Sequence, residues 1–306
     1  MKDKYDQEDN EWDVIPDIHA DPARLEVTLA YLGRDNKLAF LGDLIDAGGK
    51  VNAPDDDAVL HRVRSLIEDK GAVSVMGNHE MNAILFHRRG EDGFPMRRHE
   101  DKNKDQHASF IEQFGIETKA AKAWTDWFLT LPLWLELSGI RLVHAYWDQS
   151  AIDIIKRRRP DGLLREEDLP EVATKSTDFG QAVDSLLSGP ELALPKDCVI
   201  HDYKGVPRDN ARIAWWRPQA RTWQQACLSV PNLSELPDEN LPENHGVAFY
   251  PVTAPPVFVG HYKMKGKPTV ETVRVACLDY PEAPCVYCWR GESDLRNSSL
   301  YRVPAI

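Results

Sequence analysis

At 306 residues the chain can bury a large core, and the usual span of about 100–200 residues per domain allows one decorated domain or two smaller ones; one is the expectation. Hydrophobic content of 42% with 28% charged residues is that of a soluble globular protein, and no apolar run approaches the roughly 18 residues of a membrane helix. A formal net charge of −12 argues against an extended nucleic-acid surface, yet it leaves room for a phosphorylated substrate if bound divalent cations supply the local positive charge.

The stretch Met1 to Asp13 is polar and acidic with no apolar segment of signal-peptide type, so a cytoplasmic location is the default expectation. Five cysteines at irregular spacing fit reduced thiols better than a disulfide framework. Cys285 and Cys288 form a CxxC without a second pair to complete a tetrahedral zinc site. The segment Pro284 to Trp289 also reads as a strand, which places the two thiols on opposite faces.

In chain order, Trp12 to Ile15 is a short apolar strand that runs into Asp17-Ile18-His19. Asp21 caps the next helix, Pro22 suits its first turn, Leu25, Leu29 and Leu32 form its apolar stripe, and Gly33 ends it. Leu38 to Leu41 is a second strand, delivering Asp43 and Asp46 to the loop beyond it. A helix over Asp57 to Lys70 leads to a third strand, Ala72 to Met76, which ends in Gly77-Asn78-His79-Glu80. Parallel strands joined by right-handed crossovers bring their C-terminal ends to one edge, where α/β proteins build their sites.

Residues Phe86 to Lys104 read as a charged, solvated loop. Helices follow at Gln106 to Phe114 and Lys119 to Leu131, the second with Trp124, Trp127, Phe128 and Leu131 on a core face. A hairpin, Leu133 to Leu137 and Ile140 to Val143, turns at Ser138-Gly139 and ends at His144. Between about 148 and 250 the pattern loosens into helices at Ala151 to Arg158 and Phe179 to Leu187, a strand pair around Val199 and Ile213, and a Pro-rich loop from Val230 to Glu243; this reads as an inserted cap. The basic run Lys156 to Arg159 reads as a solvated helix end. Pro256 to Val259 is a last buried strand before Gly260-His261, and the remainder reads as strands that close a sheet.

Five loops thus carry carboxylate, amide and imidazole groups just past strand ends: Asp17 and His19, Asp43 and Asp46, Asn78 and His79, His144, and His261. Asp43 is placed to bridge two cations, and Asp46 to orient a neighbouring imidazole. The order Asp-x-His, Gly-Asp-x-x-Asp, Gly-Asn-His-Glu and two later histidines resembles the calcineurin-like metallophosphoesterases of the phosphoprotein-phosphatase type, bacterial serine/threonine-phosphatase-like, over roughly residues 13–280.

The resemblance implies a four-layer αββα sandwich, with two mixed sheets flanked by helices. It implies one metal held by Asp17, His19 and Asp43 and a second by Asp43, Asn78, His144 and His261. Such a donor set suits manganese, with iron or zinc as alternatives. Two cations about 3.5–4 Å apart would activate a bridging hydroxide for in-line attack on phosphorus, while His79, held by Asp46, would protonate the leaving group.

The sequence departs from the family pattern at Pro16, Ala20 and Ala145, where glycines are usual, and at Ala47, where an arginine usually grips the substrate phosphate. Arg212 and Arg217, flanking Trp215-Trp216, are the candidates to replace that arginine. The expected activity is hydrolysis of phosphate monoesters, on a phosphoprotein or a small phosphorylated metabolite. A dinucleoside polyphosphate hydrolase or phosphodiesterase is the alternative, and a non-catalytic phosphate-binding module a third reading.

Overall fold

In the computed structural model, which describes residues 11–33, 37–47, 51–203 and 205–304, the first unit is the expected strand, helix, strand. β1 (Trp12–Ile15) is followed by α1 (Pro22–Leu32), whose first turn is capped by Asp21 accepting from the Arg24 amide at 2.9 Å. β2 (Leu38–Phe40), α2 (Asp56–Lys70) and β3 (Val73–Ser74) repeat the arrangement; Asp55 caps α2 and Gly71, at φ 73°, ends it in the left-handed conformation that glycine adopts without strain. After β3 come α3 (Asn78–Phe86), α4 (Asp101–Gln106), α5 (Ala108–Phe114) and α6 (Lys119–Phe128).

The hairpin is present as β4 (Trp134–Leu137) and β5 (Ile140–Val143). Then follow α7 (Gln149–Arg158), α8 (Leu169–Thr174) and α9 (Asp178–Ser188). Next are β6 (Glu191–Ala193), β7 (Ile200–His201), β8 (Pro207–Arg208), β9 (Asn210–Ile213), α10 (Trp223–Ala226) and β10 (Cys227–Leu228). β11 (Val257–Val259), β12 (Val275–Cys277), β13 (Cys285–Trp289) and β14 (Leu300–Arg302) complete the chain.

Two mixed sheets form the centre. One has the order β14-β13-β1-β2-β3, with β1, β2 and β3 parallel; the other has the order β12-β11-β5-β4, with β12, β11 and β5 parallel. Their facing surfaces bury Val14, Ala39, Leu41 and Tyr287 against Ile140, Leu142, Phe258 and Ala276. The outward residues Ile15, Phe40, Val143 and Val259 pack under the helices. A strand covered on both faces favours apolar residues at successive positions, which is why Leu38–Phe40 and Val257–Val259 read as continuous apolar runs. Cys285 and Cys288 do fall on opposite faces, Cys285 between the sheets and Cys288 against the helical side.

Two expectations are corrected. The region read as a solvated loop contains α4, and its His87 and Arg88 are buried. The guanidinium of Arg88 is held by Glu166 at 2.9 Å, by the Thr125 hydroxyl at 2.7 Å and by Asp126, so its charge is taken inside with its partners. The strands around Val199 and Ile213 do not pair with each other: Ile200 pairs with Arg208, and Ile213 with Cys227. The basic run does close α7 with Arg157 and Arg158 exposed, and two of its guanidiniums are paired as well, Arg159 with the fully buried Asp168 at 2.7 Å and Arg158 with Glu171 at 2.8 Å. Within residues 148–250, α7 and α9 pack into the main core through Ala151, Ile152, Val183 and Leu186, and residues between 192 and 247 build a small core of their own around Ile213 and Trp223.

Candidate metal centre

The parallel strands of both sheets end at one place, and the chain turns sharply there. His19, Ala20, Asp43, Asp46, His261 and Lys263 all have positive φ, between 49° and 73°. Each left-handed non-glycine residue costs roughly 1–2 kcal/mol, a load that the buried strands, at about 1.5–3 kcal/mol per fully buried aliphatic side chain, are able to offset. Backbone contact is equally tight. A Cβ on Gly77 would collide with the amide and carboxylate of Asp43, and one on Gly260 with the carboxylate of Asp17, so glycine is required where the loops cross.

Glu80 ties the crossing together. Fully buried, its Oε2 accepts from the amides of Gly77 at 2.8 Å and Asp43 at 2.9 Å, and its Oε1 from Leu44 at 2.8 Å. Asp43 in turn accepts from the His79 amide at 2.9 Å, and the His261 amide donates to Asp17 at 3.0 Å. The last glutamate of the Gly-Asn-His-Glu run thereby positions the second loop relative to the third.

The side chains expected at the site converge. His144 donates from Nδ1 to the Leu41 carbonyl at 2.7 Å, which turns Nε2 toward Asp43 Oδ2 at 3.3 Å and Asn78 Oδ1 at 3.0 Å. His261 Nδ1 lies 2.8 Å from the same Asn78 oxygen. His19 is oriented by the Ile45 carbonyl at 3.3 Å, and its Nε2 sits 3.9 Å from Asp17 Oδ2. Donor atoms fall into two groups, His19 with Asp43 and His79, and Asp43 with His144 and His261; Asp43 belongs to both.

Among the described residues, the buried Nε2 atoms of His19 and His261 have no hydrogen-bond partner. A buried polar atom left without a partner is costly, so two such imidazole nitrogens, on rings grouped with Asp43, fit a site that completes itself with cations. The electrostatics agree. Burial, together with the charges of Asp279 and Asp43, raises the carboxyl of Asp17. Burial also disfavours the charge of Asp43, but His144 and His79 outweigh it and hold Asp43 well below the usual carboxylate range. Burial would lower His144, yet Asp43 and Asp17 lift it to about 10, while burial and His79 push His19 down to about 3. Crowded carboxylates thus attract a positive charge that a metal ion supplies better than a proton.

His79 Nδ1 is 2.7 Å from Asp46 Oδ2. The other Asp46 oxygen, Oδ1, is 2.6 Å from His107 Nδ1, a contact that nothing in the local sequence signals. α5 also clamps the same loop, with the Ser109 hydroxyl accepting from the Ala47 amide at 3.0 Å.

Arg212 pairs loosely with Glu191 at 3.4 Å, and its positive charge is felt at His261, after burial the largest influence depressing that ring. Arg217 is turned to Glu271 at 3.3 Å and to the Gln225 carbonyl at 3.2 Å. Lys263, two residues past His261, also acts on His19 and His261, and its amide donates to Asp279 at 2.7 Å. Asp279 and Lys263 carry no signal in the sequence, because neither lies in a motif.

The sequence profile described as calcineurin-like phosphoesterase matches residues 13–227. The chain belongs to this family. It is accordingly a metal-dependent phosphoric ester hydrolase with a mixed α/β fold of two sheets flanked by helices. Among solved structures, a protein serine/threonine phosphatase from Saccharomyces cerevisiae with similarity to human phosphatase PP5 is 11% identical, covering 97% of this chain and 81% of that one at a TM-score of 0.50, a likeness of fold. A metallophosphoesterase from Sphaerobacter thermophilus is 22% identical over 44% of this chain at a TM-score of 0.31, so the matched stretch spans 46% of that protein, less than half. A cold-active protein-tyrosine phosphatase of a psychrophile, Shewanella sp., is 11% identical over 97% of this chain and 81% of that one at a TM-score of 0.49. Comparison with curated proteins gives no significant match. Among the described residues, no helix of the phosphoesterase is long and apolar enough to cross a membrane.

Proposed function

We propose that the phosphoesterase hydrolyses phosphate monoesters, of a phosphoprotein or a small metabolite, at two divalent cations that share Asp43. In this reading Asp17, His19 and Asp43 hold one cation and Asp43, Asn78, His144 and His261 the other, with manganese the first choice. The observation that carries the reading is that Asp43 is shared by two donor groups, His19–Asp43–His79 and Asp43–His144–His261, with Asp17 Oδ2 3.9 Å from His19 Nε2 and His79 engaged by Asp46. When bound, the cation pair supplies an acidified water and neutralises phosphoryl charge in an in-line displacement.

The chain's own residues account for the rest. Asp46 accepts a hydrogen bond from the Nδ1–H of His79, so the imidazole is held in one orientation with Nε2 directed away, 3.9 Å from Asp43 Oδ2, free to protonate a leaving alkoxide. Burial disfavours a charged His79, but Asp43 and Asp46 outweigh it and lift the ring to about 9; the Asp46 share, which does not depend on Asp43 being free of cations, favours the protonated acid. Arg212 and Lys263 bring positive charge to the His261 side, where a dianionic monoester gains more than a singly charged diester. Arg217 remains a weaker candidate for the phosphate, being engaged with Glu271. We read the chain as one domain in which residues 191–247 carry Arg212 to the site.

Ala47, in place of an arginine, favours the second reading, a diester or dinucleoside polyphosphate as substrate. Assaying p-nitrophenyl phosphate, bis-p-nitrophenyl phosphate and a dinucleoside tetraphosphate with Mn separates the two. The monoester is expected to react fastest. Faster turnover of either other substrate overturns the assignment, and two bound metals without any turnover point to a phosphate-binding module.

A further inference from the structure

Behind the His79–Asp46 pair lies a second, fully protein-lined chain of hydrogen bonds that the reaction as described does not use. His107 Nδ1 is 2.6 Å from Asp46 Oδ1, His107 Nε2 is 3.1 Å from His87 Nε2, and the Glu117 amide donates to His87 Nδ1 at 3.0 Å. Both rings are buried among aromatic side chains, with His107 stacked on Phe110 at 4.7 Å between ring centres.

The positions of the protons follow from the one donor whose direction is beyond choice, a backbone N–H. Because the Glu117 amide gives its proton to His87 Nδ1, His87 carries its own proton on Nε2. That proton points at His107 Nε2, which must then be an acceptor, so the proton of His107 sits on Nδ1 and points at Asp46. Burial, the largest influence on His87, pushes it down to about 3, which keeps it the neutral ring this chain requires. Asp46 therefore accepts an imidazole N–H on each oxygen, and its backbone is fixed as well by the Asp46 amide donating to Asp56 at 2.9 Å.

We propose that His107, backed by His87 and the Glu117 amide, is a positioning residue for His79: it occupies one oxygen of Asp46 so that the other is aimed at His79 Nδ1. Two consequences follow for the acid. The carboxylate of Asp46 cannot pivot without breaking the His107 bond, so the direction of His79 Nε2 is set from residues outside every motif. Sharing its charge with a second donor also makes Asp46 a weaker base, so it holds the Nδ1 proton of His79 without removing it. The proposal rests on the reading of His79 as the leaving-group acid.

The test compares His107→Phe and His107→Asn with the wild type on p-nitrophenyl phosphate and phenyl phosphate, with Mn bound and metal content measured. Asparagine places an amide N–H where Nδ1 stands and phenylalanine places none. General acid catalysis is worth roughly 10²–10⁴-fold and matters most for a poor leaving group. His107→Phe is therefore expected to lose about tenfold more on phenyl phosphate than on p-nitrophenyl phosphate with metal retained, and His107→Asn to stay within about threefold of wild type on both.

Equal losses on the two esters, or an asparagine variant no better than phenylalanine, overturn the proposal. If the variants do not fold, the histidine 15N spectrum of the wild type decides: a proton on His87 Nε2 is expected, and one on Nδ1 refutes the chain. A wild type that turns over neither ester sinks the phosphatase reading itself, an outcome distinct from an active enzyme with uniform losses.

Discussion

Glu80, fully buried where the loops cross, accepts three backbone N–H groups, from Gly77, Asp43 and Leu44, at 2.8, 2.9 and 2.8 Å. Glu80→Gln conserves volume but replaces one oxygen with an NH2 group. If the amide oxygen keeps Gly77 and Asp43, the new NH2 faces the Leu44 N–H, and a buried donor loses its partner. Leaving such a donor unpaired costs about 1–3 kcal/mol, and the two remaining bonds lose the strengthening of a charged acceptor, so about 3 kcal/mol is the expected total. Unfolding entropy of roughly 2.1 cal/mol/K per residue over 306 residues gives about 0.6 kcal/mol/K, hence a fall in Tm of about 5 °C. Glu80→Ala strands all three donors and should lose roughly twice that. Calorimetry of the metal-free protein at pH 7.5 measures both, and titration with Mn should show weaker binding because Asp43 hangs on the same bond set. A Gln variant that melts within a degree of wild type and binds Mn normally would refute the claim that Glu80 holds the loops together.

Three further outcomes are expected. His79→Asn should cut turnover at least about 10²-fold while metal content stays near normal, whereas Asp43→Asn should lose both metal and activity; loss of metal from the His79 variant would place that ring among the ligands instead. Arg212→Ala should raise KM several-fold more than Arg217→Ala, as measured by steady-state kinetics on p-nitrophenyl phosphate, and equal effects would remove Arg212 from the phosphate site. Burial, helped by the charge of Asp46, raises the Asp56 carboxyl from 3.8 to about 6, and among the described residues its Oδ2 has no hydrogen-bond partner. The folded state therefore holds this proton more tightly than the unfolded chain, and the group lowers stability progressively as pH rises from about 4 to about 6, by about 3 kcal/mol in all. Asp56→Asn should abolish that part of the slope, so the Tm difference between variant and wild type should grow across this window and level off above it. Parallel Tm curves would contradict the assignment.

Much of the site is legible in the sequence. Asp17, His19, Asp43, Asn78, His144 and His261 each stand just past a buried strand, and their convergence follows from parallel strands whose ends share one edge. The helix caps at Asp21 and Asp55 and the hairpin at Ser138-Gly139 are local, set by residues within a few positions of one another. Charge, by contrast, misleads as a sign of solvent. His87 and Arg88 are polar in sequence but buried, and Arg159 is partly covered, because partners elsewhere in the chain, His107, Glu166 and Asp168, meet them. The short strands between 191 and 228 lack periodicity, so nothing local specifies how they pair.

What the sequence determined by itself is the succession of strand ends carrying donors, since alternation of apolar run and polar loop is a local property. What only the tertiary structure decided is which groups complete them: Glu80 reaching back 37 residues to Asp43, His107 reaching 61 to Asp46, and Asp17 meeting the amide of His261 across 244. Such pairings depend on how two sheets and their helices stack. No periodic pattern encodes them, because a hydrogen bond between distant segments constrains two residues and leaves those between them free.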